Sequence, residues 1–386
     1  MYRNRTSDFA HAPTYFDNAA TTFPKPIAVR EAVREAIAKF GGNPGRGVHP
    51  LAQATGELIY HARETAAAFF DAQPENVVFT SNCTHALNLA LWGLLRSGDH
   101  VIISNLEHNS VLRPLAAMAK ENRITYSIAE VSPHPAETVA AFRRLIQPRT
   151  KAIVCTLVSN VSGQILPWRA IGTLCREYGI VFIADGAQAC GIMPISLSDG
   201  ISVLCTAGHK GLYGIMGSGL MVTDGTVRLS PLMQGGTGSL SMSPEMPDFL
   251  PDALEAGTIS VPAIASLDAG IQFIKAKTPQ QIAEHEANLC KHLMEGLRDC
   301  GRATIYRNAQ AEYAPLVSFS IDAETPSDTA ARLVDAGFCV RAGLHCAPLA
   351  HASLGTTREG TVRFAPSMFN SMREVDAFLR VLTVHA

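Results

Sequence analysis

Short apolar segments alternate with longer amphipathic segments up to about residue 258, and this alternation limits the folds open to the chain. Helical patterns lie between the apolar segments, for example at Trp168–Tyr178. The segments that we predict to be strands are Asn76–Thr80, Val101–Ile103, Ala152–Val158, Ile180–Ala184 and Ile201–Cys205. Repeated strand–helix–strand units form a mostly parallel sheet with helices on both faces. The sequence therefore predicts an α/β fold, in which ligands bind at the carboxyl ends of the strands.

The pattern changes after about Thr258. Two helices are predicted at Ala263–Lys275 and Pro279–Asp299, and an apolar strand at Leu316–Ser320 precedes a further helix near Ala330. This order is typical of a smaller α+β unit. We therefore predict a large domain of residues 15–260 and a small domain of residues 261–386 together with residues 1–14.

Composition restricts the partners. The net charge is −2, from 32 basic and 34 acidic residues, and there is no long basic run, so we expect no nucleic-acid partner. No stretch of about 18 uninterrupted apolar residues occurs, so we expect no membrane-spanning helix. The first residues are polar and lack a signal-peptide core, which indicates a cytoplasmic protein.

Nine cysteines are scattered singly along the chain, and no two have Cys-x-x-Cys spacing. We therefore expect no zinc or iron–sulfur site, and free thiols in a reducing compartment. Cys155 and Cys205 lie in apolar strand segments and are predicted to be buried.

A lysine and an aspartate follow two of the predicted strands. Lys210 lies between Gly208 and Gly211, and Asp185 ends the strand before it. A lysine amine forms a Schiff base with pyridoxal 5′-phosphate (PLP), and a carboxylate pairs with the protonated pyridine nitrogen and keeps the ring an electron sink. We expect the flanking glycines to let a bulky group approach the Lys210 amine. The sequence therefore predicts a PLP site at this edge of the sheet.

A second signal for an anion is the start of the helix predicted from Thr84. The amides of Asn82, Cys83 and Thr84 and the Thr84 hydroxyl favour a phosphate at this helix end. An ordinary N-cap formed by Thr84 is an equally good interpretation of these residues alone.

Several motifs occur in the order that is typical of one enzyme family. They are Tyr15–Thr21, Gly42–Gly47, Glu107–Asn109, Ser159–Gly163, Ala184–Gln188, Arg341–Pro348 and Thr361–Phe364. In these segments the chain resembles the class V aminotransferase group of fold-type I PLP enzymes, within it the cysteine desulfurase and selenocysteine lyase branch. The resemblance covers almost the whole chain. It implies a seven-stranded type of sheet in the large domain and a homodimer with shared sites.

The resemblance also implies roles for cofactor-binding residues. His108 matches a histidine that stacks on the PLP ring and helps proton transfer, Gln188 a residue at the 3′-oxygen, and Asn160 a residue near the same ring edge. His209 matches a phosphate ligand, and Thr258 a residue that reaches the phosphate of the partner subunit. The family usually has Ser or Thr at position 207, where this chain has Ala207, with Thr206 beside it.

Substrate contacts follow from the same resemblance. Arg363 matches the arginine that binds the substrate α-carboxylate, for which a guanidinium fork is well suited. Asn18, Ala20 and Arg341 are implied to be further substrate-binding residues. An ordinary surface salt bridge is the alternative interpretation of Arg363.

Cys346 distinguishes the branch from plain aminotransferases, because a desulfurase needs a thiolate that attacks the substrate sulfur and carries it as a persulfide. Arg341 and His345 are nearby basic groups that we expect to favour the thiolate. The compact loop departs from the family at Leu344, where a second histidine is common. The sequence therefore favours a cysteine desulfurase that acts on L-cysteine and passes sulfur to an acceptor protein.

Three alternatives stay open at this point. The first is a selenocysteine lyase that acts on L-selenocysteine and supplies a selenium acceptor. The second is another class V reaction, such as transamination or C–S lysis, with Cys346 a bystander. The third is a PLP-binding scaffold without catalysis, which the presence of Lys210, Asp185, His108 and Arg363 disfavours.

Overall fold

The computed structural model of the chain describes residues 13–45 and 47–383. Arg46 of the glycine-rich motif and residues 1–12 of the predicted small domain lie outside the described residues. The first elements are the strand β1 (Thr14–Tyr15) and the helices α1 (Ile27–Lys39) and α2 (Pro50–Phe70). Within the described ranges, no helix combines the length and the apolar character that crossing a membrane requires.

A seven-stranded sheet forms the centre of the fold. Its strands are β2 (Val77–Thr80), β3 (His100–Ser104), β4 (Thr125–Ala129), β5 (Thr150–Thr156), β6 (Val181–Asp185), β7 (Val203–Ala207) and β8 (Gly219–Thr223). They lie in the order β2-β8-β7-β6-β5-β3-β4. Neighbours are parallel except at β8, which is antiparallel to both β2 and β7. The predicted α/β class with a mostly parallel sheet is confirmed.

Helices cover both faces of this sheet, as the alternation predicts. They are α3 (Cys83–Leu94), α4 (Asn109–Lys120), α5 (Pro135–Arg144) and α6 (Trp168–Tyr178). Leu87 of α3 and Val111 of α4 are buried in one apolar cluster, and Phe70 of α2 and Phe142 of α5 in another. The inner strands β7 and β8 are mostly apolar because both of their faces are buried, whereas the edge strand β4 is partly exposed.

Local signals in the sequence determine where the helices begin and end, as two examples show. Helix α6 ends at Gly179, which has a φ of 64° and so adopts the left-handed C-cap that glycine accepts without strain. Pro279 occupies the first turn of the helix that begins there, and the Thr278 hydroxyl accepts a hydrogen bond from the Gln281 amide. Both ends agree with the predictions made from the sequence.

The remaining elements build a second, antiparallel sheet. They are α7 (Val261–Lys277), α8 (Pro279–Asp299), β9 (Ala303–Ile305), β10 (Val317–Ile321), α9 (Pro326–Asp335), β11 (Phe338–Cys339), β12 (Arg341–Gly343), α10 (Pro348–Leu354), β13 (Thr361–Phe364) and α11 (Met372–Thr383). The sheet order is β12-β13-β10-β9, and Phe319, Phe364 and Phe378 lie in its core. Strand β1 pairs in parallel with β11, which attaches the start of the described chain to this part of the fold.

Helix α7 lies at the junction between the two parts. Its residues Ile264 and Ile271 belong to the same apolar cluster as Leu204 of the central sheet, so α7 packs on the large domain. The division into residues 15–260 and 261–386 stays a prediction, and the packing of α7 favours a boundary at the start of α8.

Candidate active site

A cavity lies at the carboxyl edge of the central sheet. The strands β5, β6 and β7 end here, and the helices α3 and α4 begin here. The residues of the predicted site that line it are Cys83, Thr84, His108, Asn160, Asp185, Gln188, His209 and Lys210. Side chains that are far apart in the sequence therefore meet at the place that the parallel topology predicts.

Lys210 follows β7 and also lines an adjacent cavity beside Gln188 and Tyr213. Burial lowers the pKa of its amine, and the nearby Asp185 carboxylate opposes this effect only in part. In the described part of the chain the amine makes no hydrogen bond or ion pair. A lysine nucleophile needs an amine that has a lowered pKa and is not engaged in a hydrogen bond or ion pair.

The glycines beside Lys210 have a different function from the one expected. A Cβ at Gly208 would lie 2.3 Å from the Ser218 Oγ, and a Cβ at Gly211 would lie 2.2 Å from the Cys190 carbonyl oxygen. Both positions are closed by the protein's own chain. The expectation that they make room for a ligand at the amine is wrong, and they instead allow the turn to pack closely.

Asp185 is the last residue of β6 and is 3% exposed. Its Oδ1 accepts a hydrogen bond from the Ala187 amide at 2.9 Å and from the Cys83 Sγ at 3.4 Å. Burial is the main cause that raises the pKa of the Cys83 thiol, and the charge of Asp185 acts in the same direction. Cys83 therefore stays protonated and donates its hydrogen bond to Asp185. The carboxylate is thus held in a fixed orientation at the floor of the cavity.

His108 caps helix α4. Its Nδ1 accepts a hydrogen bond from the Ser110 amide at 3.1 Å, so in the neutral ring the proton is on Nε2. Burial is the main cause that lowers the pKa of His108 to about 4, and the cations of Lys210 and Arg341 act in the same direction. The structure therefore presents a neutral imidazole in one tautomer to the cavity.

The start of helix α3 differs from the prediction by one residue. The helix begins at Cys83, and the Asn82 Oδ1 accepts from the His85 amide at 2.9 Å, so Asn82 is the N-cap. The Thr84 hydroxyl lies 2.7 Å from the Ser110 Oγ. The interpretation of Thr84 as the ordinary cap is therefore wrong, and its side chain faces the cavity that holds Lys210.

The departure at position 207 removes a hydroxyl from this cavity. Ala207 lines the cavity, whereas the Thr206 Oγ1 is buried and donates to the Gly186 carbonyl oxygen at 3.3 Å. Successive side chains of a strand point to opposite faces, so Thr206 does not replace the missing group. His209 lies beside it with its buried Nδ1 unpartnered among the described residues.

Two of the predicted residues, Asn18 of the N-terminal segment and Gln188 after β6, reach the adjacent cavity, whereas Ala20 does not. Asn18 and Gln188 line it, but the Asn18 Nδ2 donates to the Ala365 carbonyl oxygen at 2.9 Å, and the Gln188 Nε2 donates to the Ala19 carbonyl oxygen at 2.9 Å. Ala20 is not among the described residues that line either cavity. These contacts join the N-terminal segment to the site.

Arg363 is 2% exposed, so its ion pair with the partly buried Asp17 is not the surface salt bridge that was the alternative interpretation. Its Nη2 donates to the Asp17 Oδ1 at 2.8 Å, and its Nη1 donates to the Asn160 carbonyl oxygen at 3.0 Å. It lies directly opposite Arg341 on the neighbouring strand. Although neither arginine lines the cavity around Lys210, both lower the pKa of the lysine amine.

Cys346 is the one exposed cysteine of the nine. Its loop is held at both sides, since the Asn109 amide donates to the Cys346 carbonyl oxygen at 2.8 Å and the Asn160 Nδ2 donates to the His345 carbonyl oxygen at 2.8 Å. The Arg341 Nη2 lies 3.8 Å from the Cys346 Sγ. The guanidinium therefore lies within hydrogen-bonding range of the sulfur.

His345 does not assist the thiol in the way that the sequence suggested. The ring turns into the protein, where its Nε2 lies 3.1 Å from the Thr361 carbonyl oxygen, and burial is the main cause that lowers its pKa to about 2. A neutral ring adds no positive charge beside Cys346. Of the two expected basic neighbours, only Arg341 contacts the sulfur.

Thr258 lies in a different cavity, which it lines together with Ser81 and His85. Nearby, Arg63 and Glu255 form a buried bidentate ion pair with two contacts of 2.8 Å. Within one chain, Thr258 is therefore not brought to the cavity of Lys210.

The sequence interpretation assigned no role to three carboxyl groups, of which Glu107 and Glu286 are buried and Asp17 is partly buried. Asp17 pairs with Arg363, Glu107 accepts from the Thr156 amide at 2.9 Å, and Glu286 lines the cavity beside Lys210. Burial, the largest cause, raises the pKa of Glu107 to about 8. Asp17 and Glu107 lie inside the quoted motifs, whereas nothing in the local sequence around Glu286 marks it. In the described ranges, no three His, Cys, Asp or Glu residues are grouped as metal ligands.

Comparisons with known proteins agree with this architecture. The model of the family described as aminotransferase class-V matches residues 14–378. A probable cysteine desulfurase of Pyrococcus abyssi is 31% identical, and the alignment covers 95% of this chain and 93% of that protein. One of Methanothermobacter thermautotrophicus is 30% identical over 94% of this chain and 92% of the relative.

Solved structures give the same result. The apo structure of a cysteine desulfurase from Thermococcus onnurineus is 30% identical, with a TM-score of 0.89 over 98% of this chain and 95% of that one. The cysteine desulfurase CsdA of Escherichia coli, in an S-sulfonic acid form, is 26% identical with a TM-score of 0.85. The alignment covers 98% of this chain and 95% of the CsdA chain. The family resemblance found in the motifs is thus confirmed, and the chain belongs to the aminotransferase class-V family, in its cysteine desulfurase branch.

Proposed function

We propose that the protein is a PLP-dependent cysteine desulfurase that converts L-cysteine to L-alanine and retains the sulfur as a persulfide on Cys346. The observation that carries this proposal is the environment of Cys346. It is the one exposed cysteine of nine, and a guanidinium nitrogen lies 3.8 Å from its sulfur. A transaminase has no use for such a thiol, whereas a desulfurase requires it.

The residues around the main cavity fit PLP. Lys210 offers an uncommitted amine, Asp185 a fixed carboxylate for the pyridine nitrogen, and the amides at the start of α3 a place for the phosphate. The His209 Nδ1 is buried and has no partner among the described residues. A buried polar atom needs a hydrogen-bond partner, and a phosphate group in the cavity would supply one. When bound, PLP supplies an electron sink for the substrate carbon atoms.

His108 and Lys210 are the groups that move protons in this proposal. The His108 ring is neutral at physiological pH and carries its proton on Nε2, so it is able to donate a hydrogen bond at the cavity. The lowered pKa of the Lys210 amine makes it a base for the substrate Cα proton once it is free. Asn160 and Gln188 line the same cavity and support the ring edge.

The cross-strand arginines provide the recognition of the substrate carboxylate. Arg363 and Arg341 lie opposite each other, and Asp17 is the one carboxylate paired with them among the described residues. The pair therefore carries a net positive charge, which suits one anionic group. Asn18 and Ala20 belong to the segment that connects Asp17 with the cavity.

The sulfur transfer balances without an external oxidant. The Cys346 thiolate attacks the substrate sulfur and forms the S–S bond, while the bond between Cβ and that sulfur breaks. The electron pair of the broken bond stays with the substrate carbon atoms, and a proton completes the methyl group of L-alanine. Because Cys346 is exposed, an acceptor protein has access to the terminal sulfur.

We also propose a homodimer in the cytoplasm, with Thr258 completing the partner's phosphate site. Two observations support the dimer. Thr258 does not reach the Lys210 cavity of its own chain. Several apolar side chains of the neighbouring segment are exposed, namely Leu232, Met233, Leu240, Met242 and Phe249. An exposed patch of this kind marks an interaction surface.

The function is tested by incubating the holoenzyme with L-cysteine and with L-selenocysteine, and by measuring alanine, sulfide and selenide. We expect alanine from L-cysteine in stoichiometric amounts with released sulfur, and no sulfur release by the variant Cys346→Ser. Activity with L-selenocysteine alone would instead identify a selenocysteine lyase. Pyruvate or an exchanged amino group from either substrate would identify another class V reaction.

A further inference from the structure

Two arginines lie side by side behind the cysteine loop. Arg341 and Arg363 are directly opposed in the antiparallel pair β12–β13, so their side chains emerge on the same face of the sheet. Like charges at directly opposed positions are destabilising unless an anion lies close to them. The arrangement therefore requires negative charge from the protein or from a ligand.

The protein supplies one such charge. The Asp17 Oδ1 accepts from the Arg363 Nη2 at 2.8 Å, and the side chain of Asp17 is 19% exposed, whereas that of Arg363 is 2% exposed. The Arg341 guanidinium has no carboxylate partner within the described ranges, and its contact is the Cys346 sulfur. One carboxylate is therefore present for two guanidinium groups.

Arg363 also has an unused donor. Its Nη1 donates to the Asn160 carbonyl oxygen, while its buried Nε has no partner in the described part of the chain. A buried guanidinium nitrogen without a partner carries a desolvation cost that an incoming carboxylate removes. The unpartnered Nε and the uncompensated charge of Arg341 both indicate a missing anion.

Asp17 also connects this cluster to the cavities. Its neighbour Asn18 lines the cavity beside Lys210, and Asn160, which accepts from Arg363, lines the main cavity. Asp17 itself pairs by a backbone bridge with Ala365, two residues beyond Arg363. A change of charge at Asp17 therefore alters the charge of the anion site, while the bridge to Ala365 is made by the backbone and not by the side chain.

We infer that Asp17 is a positioning residue that sets the affinity of the arginine pair for the substrate carboxylate. Its carboxylate orients Arg363 and lowers the net charge of the pair, so that L-cysteine and the product L-alanine bind with limited strength. This inference rests on the proposed function, in which Arg363 and Arg341 bind the α-carboxylate.

The test measures equilibrium binding of L-alanine to the holoenzyme, by absorbance of the bound cofactor and by the ligand-induced rise in Tm. In Asp17→Asn the shape and the acceptor oxygen remain while the charge is lost. We expect L-alanine to bind about tenfold more tightly, near the lower end of the coupling of a close charge pair. L-Alaninamide, which lacks the carboxylate, is expected to bind equally well to both proteins.

The steady-state constants provide a second readout. KM for L-cysteine is expected to fall in Asp17→Asn, whereas a merely structural defect would lower kcat or the folded fraction and leave KM unchanged. Asp335→Asn is the matched control, because Asp335 is exposed at the end of α9. Asp17→Ser provides an independent variant without the charge if Asp17→Asn folds poorly.

The outcomes separate the two proposals. Unchanged or weaker binding of L-alanine in both Asp17 variants overturns the inference. If Arg363→Lys binds L-alanine as tightly as the wild type, the proposed carboxylate site itself is wrong. Tighter binding in the Asp17 variants together with a loss in Arg363→Lys supports both.

Discussion

The Asn160 Nδ2 donates a hydrogen bond to the His345 carbonyl oxygen at 2.8 Å. This contact joins a residue that follows β5 of the central sheet to the loop of the second sheet that carries Cys346. The backbone oxygen of the same asparagine accepts from Arg363. The position of the Cys346 loop and the position of Arg363, the proposed carboxylate site, thus depend on one residue.

Replacement of Asn160 by alanine should separate these two functions. The side-chain contact to the cysteine loop is lost, but the backbone contact to Arg363 is retained. We expect kcat for sulfur release to fall about tenfold, the upper range for one net hydrogen bond. L-Alanine binding should change less than about twofold, and Asn308→Ala in an exposed turn is the control. An unchanged kcat would show that this contact does not position the loop.

Lys210→Ala should abolish turnover without a change of fold, because the amine lies in a cavity and forms no hydrogen bond or ion pair with the described residues. Its pKa is lowered by burial, so removal of the amine also removes an unfavourable buried charge. The measurement is alanine formation together with the absorbance of covalently bound PLP and the circular dichroism of the protein. A variant that keeps wild-type turnover would exclude Lys210 as the lysine that carries PLP.

Asp185→Asn should weaken PLP retention and slow catalysis. The carboxylate lies at the floor of the cavity, and its charge favours the protonated pyridine nitrogen. We expect a loss of at least about tenfold in kcat, measured alongside dialysis of the holoenzyme. The exposed Asp335→Asn variant should match the wild type in both measurements. Wild-type rates in Asp185→Asn would contradict the assignment.

Glu286→Gln should stabilise the protein at alkaline pH. Burial is the main cause that raises the pKa of Glu286 from 4.5 to about 8 in the folded protein. The folded-state pKa is raised, so the stability contributed by the neutral carboxyl group is present below about pH 4.5 and is lost as the pH rises towards 8. A glutamine, which is neutral at every pH, removes this loss.

The expected difference in the free energy of unfolding between Glu286→Gln and wild type therefore grows from pH 5 to pH 8, to the order of a few kcal/mol. Denaturant unfolding at these two pH values measures it. A difference that is independent of pH would show that Glu286 is ionised in the folded state.

The strands, helices and strand ends were predictable because their signals are local. The apolar segments of β5 and β6 are buried on both faces, and the parallel connections bring Asp185 and Lys210 to one edge. The motifs also pointed to His108 and Cys346, and the structure places Cys346 at the surface.

The parts that were missed depend on contacts between distant segments. The inward turn of His345, the partner of Arg363 and the burial of Glu286 follow from packing between the two sheets, and no spacing in the sequence encodes them. The close packing of Gly208 against Ser218 is of the same kind, because it joins β7 to the turn before β8.

The most direct test of the account is the mass of the peptide that contains Cys346 after a single turnover with L-cysteine. The account predicts an addition of about 32 Da, one sulfur atom, at Cys346 and at no other cysteine, because a thiolate nucleophile retains the atom that it attacks. Cys300→Ser, which removes a partly exposed thiol on another part of the surface, should leave this addition unchanged. Alanine formation with Cys346 unmodified would contradict the proposed sulfur transfer.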